Sequence, residues 1–309
     1  RLLPLLLLIL ISSLAACGTP TPPSQPTPAP LAQELILYNW ADYMPQSVLD
    51  AFTEEYGVKV KYEIFESQEE AVAAIKAGKA FDVAVIEPDH LSILEAENLT
   101  AKIDYHNVPN FKNISANFRD LVTDAGNRYS IPYNFGTTGL AVRTDLVKQP
   151  VKRWADLWNP DYAGKIALRR SPTEVIGLTL MSLGYSLNSE NPAELEAALQ
   201  RLVALKPAIF FVQVDRADAL PPLLKGEAVI LVGWPGDVVA ARSQNQAIQY
   251  ILPEDSPTIW FDSFVISAHS SNKYTAELFI NFLLRPEISA QIVNELSYAS
   301  ANEAARPFI

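Results

Sequence analysis

The chain has 309 residues, a formal net charge of −11 and a single cysteine, Cys17. An acidic surface argues against a nucleic-acid partner and favours cationic ones. One cysteine leaves no intrachain disulfide, and the length is sufficient for two domains of ordinary size. Because the first residue is Arg1, we expect the true start of the protein to lie upstream.

The N-terminus carries an export pattern. Residues 2–11 form an apolar run that is too short to span a bilayer and is typical of a secretory signal. The run ends in Leu-Ala-Ala-Cys at residues 14–17, the pattern of a lipoprotein signal whose cysteine is acylated. A plain secretory signal with a stray cysteine is the alternative. We predict a signal peptide over residues 1–16 and membrane anchoring through two acyl chains on Cys17.

A tether follows the anchor. Residues 18–33 contain six prolines and almost no large apolar side chains, so they cannot build a core. At about 3.1 Å per residue, such a polyproline-like spacer reaches roughly 50 Å. We therefore predict that residues 17–33 hold a soluble body clear of the lipid.

The body begins with alternating strand and helix patterns. Apolar spacing predicts a strand at 35–38, a helix over Gln46–Tyr56, a strand at 58–64, a helix at 69–77 and a strand at 81–86. This alternation predicts a parallel sheet covered on both faces.

A second α/β stretch follows a strand-rich passage at 129–142. Its predicted elements are a strand at 165–168, helices at 173–183 and 193–205, a strand at 209–212, a helix at 220–225 and a strand at 228–232. Residues 274–296 are mainly helical in pattern. Two α/β units are therefore expected.

The usual catalytic and metal-binding patterns are missing from the sequence. His90, His106 and His269 lie far apart, and none has a second ligand type at i+3 or i+4 on a predicted helix. No nucleophile elbow, phosphate loop or zinc-protease motif occurs. We therefore expect no metal, no cofactor and no enzymatic activity. An exported enzyme that acts on envelope material stays open, because catalytic partners can be distant in sequence.

Aromatic residues next to carboxylates recur at predicted loops that follow strands. The three segments are residues 38–43, 233–237 and 259–263. In open α/β sheets, ligands bind beyond the carboxyl ends of the strands, so these loops could converge. Indole faces attract cations, and a neighbouring carboxylate adds a charge-assisted hydrogen bond. The pattern indicates a cationic ligand.

These segments resemble those of the bacterial polyamine-binding proteins, the receptors that deliver spermidine and putrescine to ABC importers. The resemblance runs from Leu35 to Arg306 and is carried by segments 38–43, 129–133, 154–158, 183–185, 262–263 and 281–286. It implies an α/β, two-lobed periplasmic-binding-protein fold of type II, in which each lobe is a mixed, mainly parallel sheet flanked by helices.

The same resemblance implies how the chain divides. Residues 34–136 and 256–297 would form the first lobe, and residues 137–255 the second. Residues 298–309 are assigned to neither lobe. The hinge would be two crossing strands near 135–142 and 251–258.

Carried over position by position, the resemblance gives each ligand-binding residue a role. The implied cleft is lined from the first lobe by Trp40, Asp42 and Tyr43, and from the second by the carboxylate of Glu174. Trp234 and Trp260 would form aromatic walls, Asp262 would bind the central amine, and Tyr298 would close one end.

Three further positions bear on the choice of amine. Asp237 lies three residues after Trp234, a spacing that resembles putrescine receptors, and Ser171 replaces an aspartate of spermidine receptors. Both favour putrescine. Glu87 replaces a small hydroxyl residue, with Asp89 nearby, and it favours spermidine if its side chain enters the cleft. The chain also ends at Ile309, before a terminal helix of the family, so either the sequence is truncated or that end of the cleft is more open.

The implied function is capture without chemistry. A linear polyamine enters the cleft, the lobes close, and the closed form docks on an ABC permease of the inner membrane. The protein would be periplasmic or extracytoplasmic and lipid-anchored. The rival is a receptor of the same fold for ferric ion or another cation, but a ferric site would use adjacent tyrosines, and the sequence has no Tyr-Tyr pair.

Overall fold

The computed structural model describes residues 29–169, 171–212 and 216–309. The predicted signal peptide, Cys17 and most of the predicted tether lie outside these residues. Leu31–Ile309 forms one compact unit. In the described part of the chain, no helix has the length and apolar character needed to cross a membrane.

The described residues contain two sets of regular elements. The strands are β1 Glu34–Trp40, β2 Lys59–Phe65, β3 Val83–Ile86, β4 Ser130–Gly136, β5 Gly139–Arg143, β6 Ile166–Arg169, β7 Ile209–Val212, β8 Ile230–Gly233, β9 Ile248–Ile251, β10 Trp260–Ile266 and β11 Ala299–Ser300. The α-helices are α1 Gln46–Tyr56, α2 Gln68–Lys76, α3 Pro88–Ala96, α4 Pro172–Ser182, α5 Pro192–Leu205, α6 Arg216–Lys225, α7 Pro235–Arg242, α8 Lys273–Leu283 and α9 Pro286–Leu296.

The first lobe is built on a six-stranded sheet in the order β11-β4-β10-β3-β1-β2. β1 is parallel to β2 and β3, whereas β10 runs antiparallel to β3 and β4. One core joins Leu37 of β1 to Phe52 of α1 and Phe279 of α8. A second core includes Tyr38 of β1 and Ile75 of α2. Alternate residues of β1 therefore point to opposite, buried faces of the sheet.

The second lobe is built on a five-stranded sheet in the order β7-β6-β8-β5-β9. β6 is parallel to β7 and β8, and β5 is antiparallel to β8 and β9. Trp154, Ile166 and Leu178 belong to the core on one face, and Ala167 and Leu223 to the core on the other. The structure confirms the predicted α/β, two-lobed fold with mixed sheets and flanking helices.

The chain passes between the two sheets twice. Residues 137–138 connect β4 to β5, and residues 252–259 connect β9 to β10. Gly139, at the start of β5, lies against the end of β9, where the second connection begins, since a Cβ there would be 2.7 Å from the carbonyl oxygen of Ile251 and 2.7 Å from the Tyr250 ring. The close approach at this crossing requires glycine.

Several elements differ from the sequence-based expectations. The helix at Gln46–Tyr56 is confirmed with its bounds, but the helical pattern at 274–296 is two helices separated at Pro286. Helices α3 and α7 were not predicted. Residues 260–263 begin strand β10 and are not a loop that follows a strand. Helices α3, α7 and α9 each begin with proline, a start signal that apolar periodicity does not include.

Gly139→Ala tests whether the close approach of β5 to the end of β9 requires glycine. We expect the free energy of unfolding to fall by about 1–3 kcal/mol, because the added methyl must displace backbone or a packed ring. Gly177→Ala is the matched control, since it lies inside α4 with its nearest Cβ neighbour at 3.7 Å. Alanine there should be neutral or stabilise the helix by up to about 1 kcal/mol. Urea unfolding of the unliganded protein measures both, and equal effects would contradict the assignment.

Candidate ligand-binding cleft

Strand directions gather polar residues at one edge of the first sheet. Trp40 ends β1, and Glu87 follows the parallel strand β3. β10 runs the opposite way, so its beginning lies at the same edge. The register pairs Ser263 with Ile86, which places Asp262 opposite Glu87. Two carboxylates and an indole are thereby brought to one edge.

The second sheet has a matching edge. Arg169 ends β6, Trp234 follows the parallel strand β8, and Thr138 precedes the antiparallel strand β5. Helices α4 and α7 begin here, with Glu174 and Asp237 in their first turns. A helix N-terminus carries a partial positive charge, which stabilises carboxylates at these positions.

Between the two edges lies a cavity of about 340 Å³. Its lining contains all the ligand-binding residues predicted from the sequence: Trp40, Asp42, Tyr43, Glu87, Glu174, Trp234, Asp237, Trp260, Asp262 and Tyr298. The described lining also contains residues that sequence reasoning missed, namely Glu66, Gln68, Glu69, His90, Thr138, Arg169, Met181 and Leu187. In total, seven carboxylates and one guanidinium line it. The cavity is strongly acidic.

Among the acidic residues of the first lobe that line the cavity, Asp262 is the most deeply buried, with 4% of its surface exposed. Its Oδ2 accepts a hydrogen bond of 2.8 Å from the Tyr43 hydroxyl. Its Oδ1 is buried and accepts no hydrogen bond of normal geometry among the described residues. Burial raises the pKa of Asp262 to about 7, against the opposing effects of hydrogen bonding to the Tyr43 and Trp40 side chains. A cation beside Oδ1 would therefore compensate the buried charge more fully than the two side chains do.

Aromatic rings surround this carboxylate. Trp260 meets Trp234 of the second lobe edge-to-face at 6.3 Å and Tyr298 at 5.6 Å, and Tyr298 meets Tyr43 at 5.4 Å. Gly136 leaves room for the Trp260 indole, since a Cβ there would lie 2.5 Å from Cζ2 of that ring. The walls are thus fixed by ring packing, and the Trp234–Trp260 contact joins the two lobes.

A second acidic group lies beside Asp262. Glu87 keeps 38% of its side chain exposed, and burial followed by the charge of Asp262 raises its pKa above the ordinary range. His90 Nδ1 lies 3.1 Å from Asp89 and 3.8 Å from Glu87. The start of α3 thus brings ligand atoms of Glu87, Asp89 and His90 within 4.8 Å of one another.

Glu174 and Ser171 are arranged by the start of α4. Ser171 is the N-cap residue, and its hydroxyl accepts a hydrogen bond from the Glu174 N–H. The serine at this position therefore caps the helix. Glu174 Oε1 accepts a 2.8 Å hydrogen bond from the Thr138 hydroxyl.

Asp42 is exposed and adopts a left-handed conformation with φ of 53°, which aspartate tolerates better than most residues.

Asp237 is paired with a cation of its own lobe. It lines the cavity, but it is 1% exposed and its Oδ2 accepts a 2.9 Å hydrogen bond from Nη2 of Arg169. The same oxygen accepts from the Trp234 N–H in a capping arrangement at the start of α7. The Asp237 charge, which the sequence-based hypothesis assigns to a ligand amine, is therefore paired with Arg169 in this structure. Sequence spacing could not reveal Arg169, which is 68 residues away.

One hydrogen bond crosses the mouth of the cleft directly. The Thr173 hydroxyl at the start of α4 donates to Glu69 Oε1 at the start of α2, over 3.0 Å. Both residues line the cavity. Together with the Trp234–Trp260 contact, this bond joins the two lobes directly.

Comparison with known proteins identifies the class. Residues 47–307 match the family described as bacterial extracellular solute-binding protein, and the chain belongs to this family. The spermidine/putrescine-binding periplasmic protein of Escherichia coli is 36% identical over 278 residues, covering 89% of this chain and 79% of that protein. The putrescine-binding periplasmic protein SpuD of Pseudomonas aeruginosa is 30% identical, with 89% and 80% covered.

Solved structures agree with this assignment. A putative spermidine/putrescine ABC transporter protein from Listeria monocytogenes has a TM-score of 0.84 at 33% identity, with 90% of this chain and 86% of that chain covered. The spermidine/putrescine substrate-binding protein PotD of Streptococcus pneumoniae has a TM-score of 0.76 at 34% identity and the same coverage. The resemblance stated from the sequence is confirmed.

The raised carboxyl pKa values predict a pH dependence of the unliganded protein. An unfolded Asp or Glu releases its proton near pH 4, whereas folded Asp262 holds it up to about pH 7 and Glu87 also holds it longer. The folded state thus binds more protons in this window, and stability falls as pH rises through it. The raised pKa of His90 acts in the same direction. We expect the Tm to fall between about pH 5 and about pH 8.

Melting curves over this range check the expectation. The variant Asp262→Asn/Glu87→Gln should show a flatter profile, because its side chains do not titrate. Carboxylates with lowered pKa, such as Glu55 and Asp89, lose their stabilising effect only at more acidic pH. A wild-type Tm that is constant or rises between these pH values would contradict the assignment.

Proposed function

We propose that this protein is the extracytoplasmic substrate-binding component of an ABC importer for polyamines. The observation that carries the proposal is the buried Asp262 carboxylate, whose Oδ1 accepts no hydrogen bond of normal geometry among the described residues, inside an aromatic-walled acidic cavity. An ammonium group supplies what that oxygen lacks. The relatives that are named as spermidine/putrescine-binding and putrescine-binding proteins support the same ligand class.

The mechanism follows from charge and shape. The terminal ammonium groups of a linear amine bind to Asp262 on the first lobe and to Glu174 on the second. The indoles of Trp234 and Trp260 cover the methylenes between them and exclude water, which strengthens the ion pairs. Because the two carboxylates belong to different lobes, a ligand that binds both favours the closed form. The closed form then docks on an ABC permease of the inner membrane.

The location and attachment complete the proposal. The export pattern and Cys17 support a periplasmic or extracytoplasmic protein held to a membrane through a lipid. The proposed action is capture without chemical conversion. A ferric-ion receptor fits less well, because burial, followed by the negative charge of Asp262, raises the pKa of Tyr43 well above its ordinary value. The phenolate that binds ferric ion is therefore disfavoured in this cavity.

Calorimetry with the protein purified without ligand tests the ligand class. Putrescine or spermidine should bind, and neutral sugars or amino acids should not, because the cavity offers carboxylates and indole faces. Mass spectrometry of the ligand that co-purifies from a native source gives an independent answer. A tightly bound anion, sugar or metal, with no heat from any polyamine, would overturn the proposal.

Asp262→Asn tests the residue that carries the proposal. Polyamine binding should weaken by about 2–5 kcal/mol, the range for losing one partner of a buried charge pair. Asp50→Asn is the matched control, because Asp50 is exposed on α1 and does not line the cavity. Both variants should keep cooperative melting. An affinity of Asp262→Asn within twofold of the wild type would refute the assignment of Asp262 as an ammonium ligand.

A further inference from the structure

Arg169 is the only Arg or Lys among the described residues that line the cavity. Its side chain is 1% exposed. Nη2 donates to Asp237 Oδ2 at 2.9 Å, and Nη1 donates to the Val232 carbonyl oxygen at 3.2 Å. The guanidinium carbon lies 4.2 Å from the centre of the Trp234 ring. The cation is therefore held by a carboxylate, a carbonyl and an indole face.

A glycine at the end of β8 leaves space for the Arg169–Asp237 ion pair. The β6–β8 register joins Ile166 to Ile230, and its extension places Arg169 beside Gly233. A Cβ at Gly233 would lie 2.7 Å from Arg169 Nη1 and 2.8 Å from Asp237 Oδ2. Glycine lets the ion pair lie across the end of the strand. The pair thus belongs to the packing of the second lobe.

A carboxylate beside an indole face is the arrangement that a ligand ammonium requires. In the second lobe, Asp237 and Trp234 form such an arrangement, but the Arg169 guanidinium occupies it. We propose that Arg169 is a specificity-determining residue, whose cation takes the position of a ligand ammonium in the second lobe and favours diamines over triamines. This inference rests on the proposed polyamine function.

The positions of the other carboxylates explain why a diamine is favoured over a triamine. Glu87 lies opposite Asp262 in the β3–β10 register, so these two serve the same ammonium. Glu174, at the start of α4, serves the second. A third ammonium near Trp234 meets the charge of Arg169 at short range in a largely desolvated cavity, where repulsion is strong. Methylene groups are accepted there because they carry no charge.

The test measures affinities for putrescine and spermidine by calorimetry. Arg169→Gln removes the cation and keeps an amide that can donate to Asp237. We expect the spermidine affinity relative to putrescine to rise at least tenfold. Adding Asp237→Asn to Arg169→Gln should reverse this gain, because it removes the carboxylate that the loss of the guanidinium makes available to the ligand. Arg242→Gln is the matched control, since Arg242 is exposed on α7 and does not line the cavity.

The outcomes separate the inference from the proposed function. If the wild type and Arg169→Gln both bind no polyamine, the proposed function fails. If both bind and their spermidine-to-putrescine ratios agree within twofold, the inference fails and the function stands. Should Arg169→Gln not fold, the neutral pair Arg169→Gln/Asp237→Asn decides. The inference expects a loss of putrescine affinity below threefold, whereas direct ligand binding by Asp237 requires a loss of at least tenfold.

Discussion

The Asp262 carboxylate lies away from solvent at the edge where the two lobes meet, with Tyr43 as its hydrogen-bond donor. Burying an ionised carboxylate without a cationic partner is unfavourable. The raised pKa of Asp262 results from this desolvation of the charged form. A cation that enters the cleft removes the penalty. The strand order places this carboxylate at the edge of the sheet. The packing of the rings and the contact between the lobes shield it from water and limit how a cation reaches it.

Both lobes use the same geometric device. Parallel strands bring their carboxyl ends to one edge, and an antiparallel strand contributes its beginning to that edge. In the first lobe this device joins Glu87 to Asp262, and in the second it joins Arg169 to Gly233. The cleft is therefore made of residues from distant parts of the chain, which only strand pairing brings together.

The two acidic sides of the cleft differ in their electrostatics. In the first lobe the carboxylates face each other with raised pKa values, and a ligand charge relieves their repulsion. In the second lobe Asp237 is neutralised by Arg169, so Glu174 is left as the carboxylate open to an amine. Under the proposed function, this asymmetry favours a linear diamine that binds across the lobes with its methylenes against the indoles.

Apolar periodicity alone determined much of the fold. The alternation of strand and helix patterns predicted two α/β units, and the helix Gln46–Tyr56 appears with its predicted bounds. Aromatic–carboxylate segments, together with the family resemblance, identified the side chains that line the cleft. The tertiary structure decided which of these carboxylates are open to a ligand. Asp237 lies in the first turn of α7 and pairs with Arg169 from another strand, a partnership that depends on the β6–β8 register and on Gly233. Local sequence patterns carry no information about such a register, because it is fixed by the packing of the whole sheet.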